Sequence, residues 1–386
     1  MKFLFFAAQY LPTVGGVERY TYNLCNTLAE QKHACTVVTS ALPSAPAYES
    51  DGGVSVVRLD SRPFMKGRFP LLKRTRAFRR AVKALFAHPY DLAVINTRFY
   101  PLSLFAARQC AKWGIPSIII EHGTKHLSLD NPFLDFFGNL YEHMAMRCVR
   151  RYCSDFYGVS AACNAWLNHF GAAAKGVLYN SVDAGYIKRT ASESGFDARK
   201  AYSLKETAFL VVFSSRFIRE KGIFELIEAF EDFRKQEPDA ALVMSGDGPL
   251  FEELKAGRPE GVYLAGSLPY ADNLALIKQA DVFILPSYSE GFSTVVLEAA
   301  ALGACVITTY AGGSSELIEN NRSGILLDEV SPAVIAEALL KARRDGAFRL
   351  SAGRAAEEKA ATRFNWELTA ASLLDIASNR KEGELE

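Results

Sequence analysis

The stretch "DVFILPSYSEGFSTVVLEAAALGACVITT", residues 281–309, predicts a strand, a loop, a helix and a second strand in direct succession. Its outer segments are short and apolar, as in strands buried on both faces of a sheet. A strand–helix–strand unit indicates a parallel sheet, because parallel neighbours need a long crossover. Glu290 lies in the loop and Glu298 on the helix, with seven mostly small or apolar residues between them.

The same alternation of short β-rich runs and helical patterns extends along the whole chain. A looser polar stretch, residues 184–206, separates two series of strands. This rhythm predicts the α/β fold class, with two Rossmann-like, doubly wound domains facing each other across a cleft. We expect an N-terminal domain at 1–183, a C-terminal domain at 184–364, and a helix at 365–386 that packs back on the first domain. The predicted strands are FLFFAA, ACTVVTS, VSVVRL, DLAVINT, PSIIIEHG, DFYGVS and GVLYN, then AFLVVFSS, AALVMSGDG, VYLAG, DVFILPS, ACVITT and GILL.

The composition fits a folded protein of two domains. Of its 386 residues, 49% are apolar and 23% are charged, which argues against disorder. The start, "MKFLFFAAQY", predicts a buried strand rather than a signal peptide, and no apolar run is long enough to span a membrane. Seven scattered cysteines indicate reduced thiols and a cytoplasmic protein. Cys148, Cys153 and Cys163 lie near His169, but their spacing is wider than in a zinc knuckle, so buried thiols are favoured over a metal site.

Charge is unevenly divided, although the net charge is only +1. Residues 1–180 hold 21 Lys and Arg against 11 Asp and Glu, and the remainder holds 23 against 32. Much of the basic excess lies in residues 65–86, whose pattern predicts an amphipathic helix. Such a helix binds an anionic membrane surface or packs its apolar face on its own sheet, and both interpretations stay open. Its candidate membrane or acceptor residues are Lys73, Arg74, Arg76, Arg79 and Arg80.

The loop and helix start after Glu290 form a candidate anion site. Ser293 has the side chain of an N-cap, so the helix is predicted to begin there, with the amides of 291–295 facing the cleft. An anion at a helix start gains hydrogen bonds and about 0.3–1 kcal/mol from the dipole. Glu298 lies on the next turn of the predicted helix, where its carboxylate can accept hydrogen bonds from two hydroxyls of a ribose. Either glutamate alone would be a solvated surface acid, but the strand, glycine, cap and spacing together favour a site.

Two further loops carry candidate donor contacts. Arg216 follows the strand AFLVVFSS and Lys221 comes five residues later, a pair that suits a diphosphate, since Arg forks onto two oxygens and Lys acts as a point charge. A solvated surface pair is the alternative. Gly15 and Gly16 lie between the first strand and first helix, where a phosphate or sugar can approach bare backbone. The GxGxxG fingerprint is absent, so no dinucleotide cofactor is expected.

"PSIIIEHGTKH" ends a strand with Glu121, His122 and Gly123, followed by His126. A histidine at the carboxyl end of a buried strand faces the predicted cleft, and a purely structural histidine is the alternative. The sequence has no Asp-X-Asp pair and no clustered ligands for Mg²⁺ or Mn²⁺. We therefore expect no metal and no cofactor, with the charge of a leaving group met by Arg216, Lys221 and helix amides.

Together these pieces resemble a retaining GT-B glycosyltransferase of the GT4 group over nearly the whole chain. The resemblance rests on the Glu-X7-Glu element from Glu290 to Glu298, on the N-terminal Gly-Gly turn, and on quoted motifs. Those motifs are SSRFIREKG, SGDGP, YNSVD and GSLPYADNLALIKQADVFILPSYSEGFSTVVLEAAALGACVITT. Members of the group transfer a sugar from a nucleotide donor with retention, usually without a metal.

The resemblance implies roles for single residues. Arg216 and Lys221 would bind the nucleotide diphosphate, Glu298 the ribose, and His122 the sugar from the other domain. Glu290 and the amides of Gly291, Phe292, Ser293 and Thr294 would hold the donor sugar and its phosphates.

A UDP-sugar is the expected donor, since UDP is common among relatives. The expected acceptor is a lipid or lipid-linked saccharide, with the enzyme bound peripherally to the inner face of the cell membrane. A soluble acceptor, a nucleotide-sugar epimerase and a non-catalytic sugar-nucleotide binding protein are the alternatives. The basic stretch has no aromatic platform or reader motif, so no nucleic acid is expected. The sequence does not indicate an oligomeric state.

Overall fold

The computed structural model describes residues 1–13, 15–65, 67–127 and 131–383. The chain divides into two compact units. One contains Met1–Asn180 and the C-terminal residues from Trp366, and the other contains Ser181–Asn365. The α/β fold class is confirmed, because both units are built on parallel sheets with helical crossovers.

The N-terminal unit has a sheet of eight strands in the order β10-β9-β8-β7-β1-β2-β4-β3, parallel except for the pair β3 and β4. Its order reverses between β1 and β7, where every strand residue is buried apart from Lys2. The strands are β1 (Lys2–Phe6), β2 (Ala34–Ser40), β3 (Tyr48–Asp51), β4 (Val54–Leu59), β5 (Ser61–Arg62), β6 (Leu71–Leu72), β7 (Leu92–Asn96), β8 (Ser117–Glu121), β9 (Phe156–Gly158) and β10 (Ala174–Val177). The helices are α1 (Gly16–Glu30), α2 (Arg76–Leu85), α3 (Pro101–Trp113), α4 (Pro132–Val149) and α5 (Ala161–His169).

The C-terminal unit has six parallel strands in the order β13-β12-β11-β14-β15-β16. This is the order 3-2-1-4-5-6 of a Rossmann sheet, and it reverses between β11 and β14. The strands are β11 (Leu210–Ser214), β12 (Ala241–Ser245), β13 (Val262–Gly266), β14 (Val282–Leu285), β15 (Cys305–Thr309) and β16 (Ile325–Leu327). The helices are α6 (Ala184–Glu193), α7 (Ala198–Ala201), α8 (Ile223–Gln236), α9 (Phe251–Ala256), α10 (Tyr270–Lys278), α11 (Thr294–Ala301), α12 (Ser314–Leu317), α13 (Pro332–Arg344) and α14 (Gly346–Arg363).

Residues 184–206 are not the looser connection that their polar composition suggested. They form α6 and α7 within the C-terminal unit, and α6 packs against α10. The buried apolar side chains of these helices are those of Ile187, Ala191 and Ala198. A stripe this narrow is hidden in a composition average, yet it is enough to hold α6 against α10.

The last helix, α15 (Trp366–Gly383), packs on α1 and belongs to the N-terminal unit. Trp366 meets Tyr20 edge to face with ring centroids 5.4 Å apart. Thr369 donates a hydrogen bond to the Tyr179 carbonyl at 3.1 Å. The helix predicted at 365–386 therefore begins at Trp366, and its last three residues lie outside the described part of the chain.

The basic stretch 65–86 is only partly helical. Lys73 and Arg74 precede α2, whereas Arg76, Arg79 and Arg80 lie on it, and Lys66 lies outside the described residues. Phe78, Leu85 and Phe86 are buried in the core of the unit. Packing of the apolar face on the sheet of its own unit is therefore observed for these three side chains.

Within the described residues, no helix is both long and apolar enough to cross a membrane. All seven cysteines are free thiols, and only Cys148 is exposed.

Candidate active site

The predicted donor residues of the C-terminal unit lie at the point where its strand order reverses. Arg216 and Lys221 follow β11, and Glu290 follows β14, the strand beside it. Ligands of open α/β sheets bind beyond the carboxyl ends of strands at this reversal. The topology therefore brings the two predicted loops to one edge of one sheet.

Lys221 and Glu290 form an ion pair across these loops. Nζ of Lys221 lies 2.6 Å from Oε1 of Glu290, and only 12% and 13% of the two side chains are exposed. Lys221 ends a single helical turn, Arg219–Lys221. The sequence predicted each residue as a ligand contact but not their pairing. The pair places a cation and an anion side by side, where a diphosphate and a sugar hydroxyl can be bound by adjacent groups.

Glycine at position 222 allows the two loops to approach. Gly222 has φ 66°, and a Cβ there would lie 2.2 Å from the carbonyl oxygen of Pro286. The Glu220 carbonyl accepts hydrogen bonds from Ser287 Oγ at 3.0 Å and from the Tyr288 amide at 2.9 Å. This main-chain contact sets the separation of Lys221 from the loop that carries Glu290.

The helix α11 begins one residue after Ser293, as predicted, but Ser293 does not cap it. Its backbone is extended (φ −65°, ψ 117°), and its hydroxyl makes no capping hydrogen bond. Phe292 is buried and packs edge to face on Phe364 at 5.1 Å, so its side chain belongs to the core. The Gly291 carbonyl accepts from the amide of Gly313 at 2.9 Å, which ties the loop after β15 to the site. No sequence motif had predicted a contribution from this third loop.

Glu298 is buried, with 3% of its surface exposed. Its Oε1 accepts a hydrogen bond from the Tyr270 hydroxyl at 2.9 Å. Tyr270 begins α10, which follows β13, so nothing in the local sequence pattern links it to Glu298. The bond fixes one carboxylate oxygen of the residue predicted to bind the ribose.

Arg216 has a different environment from Lys221. Its side chain is exposed, and no hydrogen bond or ion pair to it occurs within the described part of the chain. The loop that carries Arg216 is held by the loop after β12, because the Phe217 amide donates a hydrogen bond to the Asp247 carbonyl at 2.9 Å. Gly246 makes this contact possible, since a Cβ there would lie 1.8 Å from the Ser215 carbonyl oxygen. A loop fixed by this backbone contact thus carries a guanidinium whose charge no described residue offsets.

In the N-terminal unit, His122 follows β8 and is held by Asn96. Its Nε2 lies 2.8 Å from Oδ1 of Asn96, whose amide nitrogen donates to Oγ1 of Thr21 at 3.1 Å. Since the amide nitrogen is used by Thr21, the oxygen faces the histidine, and Nε2 carries the proton in the neutral ring. Burial lowers the pKa of His122 to about 3. Nδ1 of a neutral imidazole is then a hydrogen-bond acceptor at physiological pH.

Acid should destabilise the fold through His122. The folded chain keeps this ring neutral down to about pH 3, whereas an unfolded chain protonates it near 6.5. As pH falls below 6.5, the unfolded state gains a proton that the folded state does not, which costs about 2 kcal/mol between pH 7 and pH 5. Denaturant unfolding at both pH values should show a smaller loss for His122→Asn than for wild type. Equal losses would contradict a neutral buried ring.

Gly15 and Gly16 lie at the start of α1, as predicted. Gly15 precedes the helix in an extended conformation, φ −161°. A Cβ on Gly16 would meet no described atom within 4 Å apart from its chain neighbours, and the nearest atom to one on Gly15 is a carboxylate oxygen of Glu18. Gly16 is exposed and leaves room for a ligand, whereas the carboxylate of the buried Glu18 covers Gly15.

An exposed apolar face on α4 was missed in the sequence. Phe133, Phe136, Phe137, Leu140 and Met144 are each about half exposed or more, with Phe133 at 71%. The sequence pattern of α4 is apolar nearly all round, which predicts burial rather than an open face. Contiguous exposed apolar patches of this kind mark interaction sites.

Beside α4, the N-terminal unit holds an open cavity of about 830 Å³. Leu71, Phe78 and Phe105 give it apolar walls. Among the described residues, four cations line it and no acidic residue does: Arg74, Arg79, Arg108 and Lys112. Two of the predicted acceptor residues, Arg74 and Arg79, therefore line one cavity, whereas Lys73, Arg76 and Arg80 do not.

Two family models match the chain in succession. Residues 14–186 match Glycosyltransferase Family 4, and residues 196–359 match Glycosyl transferases group 1. The D-inositol 3-phosphate glycosyltransferase of Arthrobacter sp. FB24 is 29% identical over 94% of this chain and 89% of its own. A GDP-mannose-dependent alpha-(1-6)-phosphatidylinositol monomannoside mannosyltransferase of Mycobacterium tuberculosis is 31% identical over 47% of this chain and 50% of its own.

Solved structures agree with these matches. The crystal structure of HepE of Anabaena in complex with UDP-glucose superimposes with a TM-score of 0.75 at 20% identity, over 98% of this chain and 100% of that one. At this identity the similarity shows the fold, and it extends through both units. The two family models, the relatives and the superposition agree: the chain belongs to the GT4 group of glycosyltransferases and has the GT-B fold.

Proposed function

We propose that the chain transfers a hexose-type sugar from a UDP-sugar, with retention, to a lipid or lipid-linked saccharide at an anionic membrane surface. The observation that carries the donor half is the Lys221–Glu290 pair, on the same sheet edge as Arg216, whose charge no described residue offsets. A diphosphate needs cations, and a sugar needs polar groups that accept hydrogen bonds from its hydroxyls. The cations Arg216 and Lys221 and the acceptor Glu290 lie on two neighbouring loops.

The leaving group decides how these residues act. Breaking the bond between the anomeric carbon and the phosphate oxygen leaves a negative charge on the diphosphate. Arg216 can bind two oxygens of this anion at once through its guanidinium, and Lys221 offers a single positive charge. The dipole of α11 adds a third favourable interaction. Fixed donors aimed at developing charge are commonly the largest contribution to such a rate. The mechanism needs no metal ion at this site.

Retention fits the environment of Glu290. A carboxylate that is ion-paired to Lys221 is a weak nucleophile, so we assign Glu290 to holding the donor sugar rather than to a covalent intermediate. The acceptor hydroxyl then attacks from the face of the leaving group. The hydroxyl oxygen of the acceptor bonds to the anomeric carbon as the phosphate oxygen departs. The departing phosphate oxygen takes the proton of the acceptor hydroxyl. His122 offers a neutral ring nitrogen to a hydroxyl of the donor sugar.

The acceptor half rests on the N-terminal unit. The cavity lined by Arg74, Arg79 and apolar side chains suits an amphiphile with a phosphate, since its cations meet the charge and its walls meet the chain. The exposed apolar face of α4 suits the interfacial region of a bilayer. The excess of basic residues in 1–180 favours an anionic surface. One relative is named for a phosphatidylinositol-based acceptor, which supports a lipid here.

UDP should stabilise the chain, and this effect should depend on Glu298. A ligand at about 100 times its Kd stabilises a fold by about 2.7 kcal/mol. A screen of UDP, GDP and ADP by thermal unfolding should give the largest shift with UDP. Glu298→Ala should lose the shift relative to its own ligand-free Tm, while Glu253→Ala, an exposed control, should keep it. A UDP shift retained in Glu298→Ala would contradict the ribose assignment.

The other functional classes give different products. An epimerase converts a donor alone into an isomer, and a non-catalytic binding protein shows a thermal shift without turnover. A transferase requires both donor and acceptor. Turnover of UDP-sugars with and without membrane lipid extract, followed by product analysis of the anomeric configuration, separates these outcomes and tests retention directly.

Binding to anionic vesicles should depend on α4. Wild-type protein should float with vesicles of phosphatidylglycerol and phosphatidylcholine at low salt, and less with phosphatidylcholine alone. Replacing Phe136 and Phe137 together by Ser should weaken binding by about tenfold or more, because each aromatic ring contributes on the order of 1.5–3 kcal/mol when buried. Leu350→Ser, which removes an equally exposed apolar side chain of the other unit, is the control. Without flotation at low salt, a soluble acceptor becomes the better proposal.

A further inference from the structure

Half of the six histidines of the chain meet at one place in the N-terminal unit. His126 lies in the loop after β8, His143 on α4, and His169 is the last residue of α5. One ring nitrogen from each lies within 4.8 Å of the others. The ring centroids are 5.5, 5.3 and 5.1 Å apart. Three separate elements thus contribute one imidazole each.

A buried carboxylate lies directly behind this cluster. Nδ1 of His126 is 3.2 Å from Oε2 of Glu142, whose side chain is 2% exposed. Histidine ligands of metals commonly turn their second nitrogen to a carboxylate, which fixes the ring and raises its basicity. If Nδ1 faces Glu142, Nε2 of His126 is the nitrogen that remains for a ligand. Nδ1 of His126 makes no hydrogen bond with described residues at present, so its ring must turn slightly for Glu142 to support it as a ligand.

Among the described residues, the charge behind the cluster is also unbalanced. The guanidinium of Arg98, 1% exposed, contacts both Glu121 and Glu142 and lies 3.9 Å from the centroid of the Phe170 ring. One cation thus meets two buried carboxylates. Backbone amides also bind them, from His122 and Gly123 to Glu121 at 3.1 Å each and from Leu127 to Glu142 at 2.8 Å. A cation bound by His126 would meet the remaining negative charge, since a buried charge needs a partner.

We propose that His126, His143 and His169 bind a zinc ion, with Glu142 as the supporting carboxylate of His126. Imidazole nitrogens suit zinc, and three of them leave a fourth tetrahedral position for water. Nitrogens at about 2.0–2.1 Å from zinc lie about 3.3 Å from one another, so the rings must close slightly from their present separation. His169 is exposed, and His143 is half-buried, so both side chains have room to turn.

The ion would fasten the loop after β8 to the second half of α4 and to the end of α5. This loop begins with His122 and Gly123, so the zinc site and the predicted sugar contact share one segment of five residues, 122–126. The site lies wholly in the N-terminal unit, whereas Arg216, Lys221, Glu290 and Glu298 belong to the other unit. The inference does not rest on the proposed function, and it assigns no metal to the donor site.

Zinc binding can be measured on the full chain without a polyhistidine tag. Protein treated with a chelator and then freed of it is titrated with ZnCl₂ by calorimetry, and the visible spectrum is recorded with Co²⁺ in place of zinc. His143→Ala and His169→Ala remove ligands from the surface side of the cluster. His88→Ala removes an exposed histidine of the same unit and is the matched control. Circular dichroism checks that each variant is folded.

We expect one zinc ion per chain for wild type and His88→Ala, and a Co²⁺ spectrum of the intense tetrahedral type. His143→Ala and His169→Ala should each bind zinc more than about tenfold more weakly, given that loss of even a supporting group costs 10–100-fold. Absence of zinc binding in wild type, or equal affinity in all four proteins, would overturn the proposal.

Discussion

Replacing Arg216 by alanine is expected to lower kcat/KM for sugar transfer by about 10²–10³-fold, the usual effect of removing one donor from a developing anion. The guanidinium is exposed and carries a charge that no described residue offsets, so its full charge is available to the departing diphosphate. The measurement is steady-state turnover of a UDP-sugar with lipid acceptor, together with the UDP-dependent shift in Tm.

Two variants separate this effect from a change in net charge. Arg219→Ala removes the same charge from the next helical turn, where the guanidinium lies over the ring of Phe224 at 5.0 Å, and it should be close to wild type. Arg216→Lys keeps the charge and loses the fork, so its activity should lie between those of wild type and Arg216→Ala. If Arg216→Ala were as active as Arg219→Ala, Arg216 would have no role in catalysis.

Replacing Gly222 by alanine is expected to destabilise the chain by about 2–4 kcal/mol and to lower kcat/KM by about 10²-fold. The residue has a left-handed backbone, and its new Cβ would lie 2.2 Å from the Pro286 carbonyl oxygen. The loops after β11 and β14 must then move apart, which separates Lys221 from Glu290. Chemical denaturation measures the stability, and turnover measures the catalytic loss.

Gly266 provides the control for Gly222. It has almost the same backbone conformation, φ +67°, but a Cβ there would meet no atom within 4 Å. Gly266→Ala should therefore cost only about 1–2 kcal/mol of left-handed strain and leave turnover nearly unchanged. Equal effects of the two substitutions on turnover would show that the approach of the two loops is not what positions the pair.

Strands and loops of the sheet could be predicted because each depends on a short stretch of sequence. The runs ACTVVTS, VSVVRL and VYLAG coincide with β2, β4 and β13, since apolar β-branched segments between turns have few other uses. The sequence also predicted that Arg216 and Glu290 follow strands, but that these two strands are neighbours came from the observed strand order. The short strands β3, β5 and β6 were missed, because two to four residues carry too little pattern.

Contacts between distant segments could not be predicted. Tyr270 and Glu298 are 28 residues apart, and Arg98 reaches Glu142 over 44 residues, so no local period reports either bond. The histidine cluster could not be predicted for the same reason. His126, His143 and His169 come together only when α4 and α5 are folded in place. The exposed apolar face of α4 could not be predicted either. An apolar pattern indicates a face that tends to be buried, but it does not show whether another element covers that face.

A crystal structure of the full chain with UDP tests the central claim most directly. We expect the diphosphate oxygens to lie within about 3.2 Å of the Arg216 guanidinium and of Lys221 Nζ at the start of α11, with the ribose hydroxyls on Glu298. A diphosphate bound away from Arg216 and Lys221, or a ribose that makes no contact with Glu298, would contradict it.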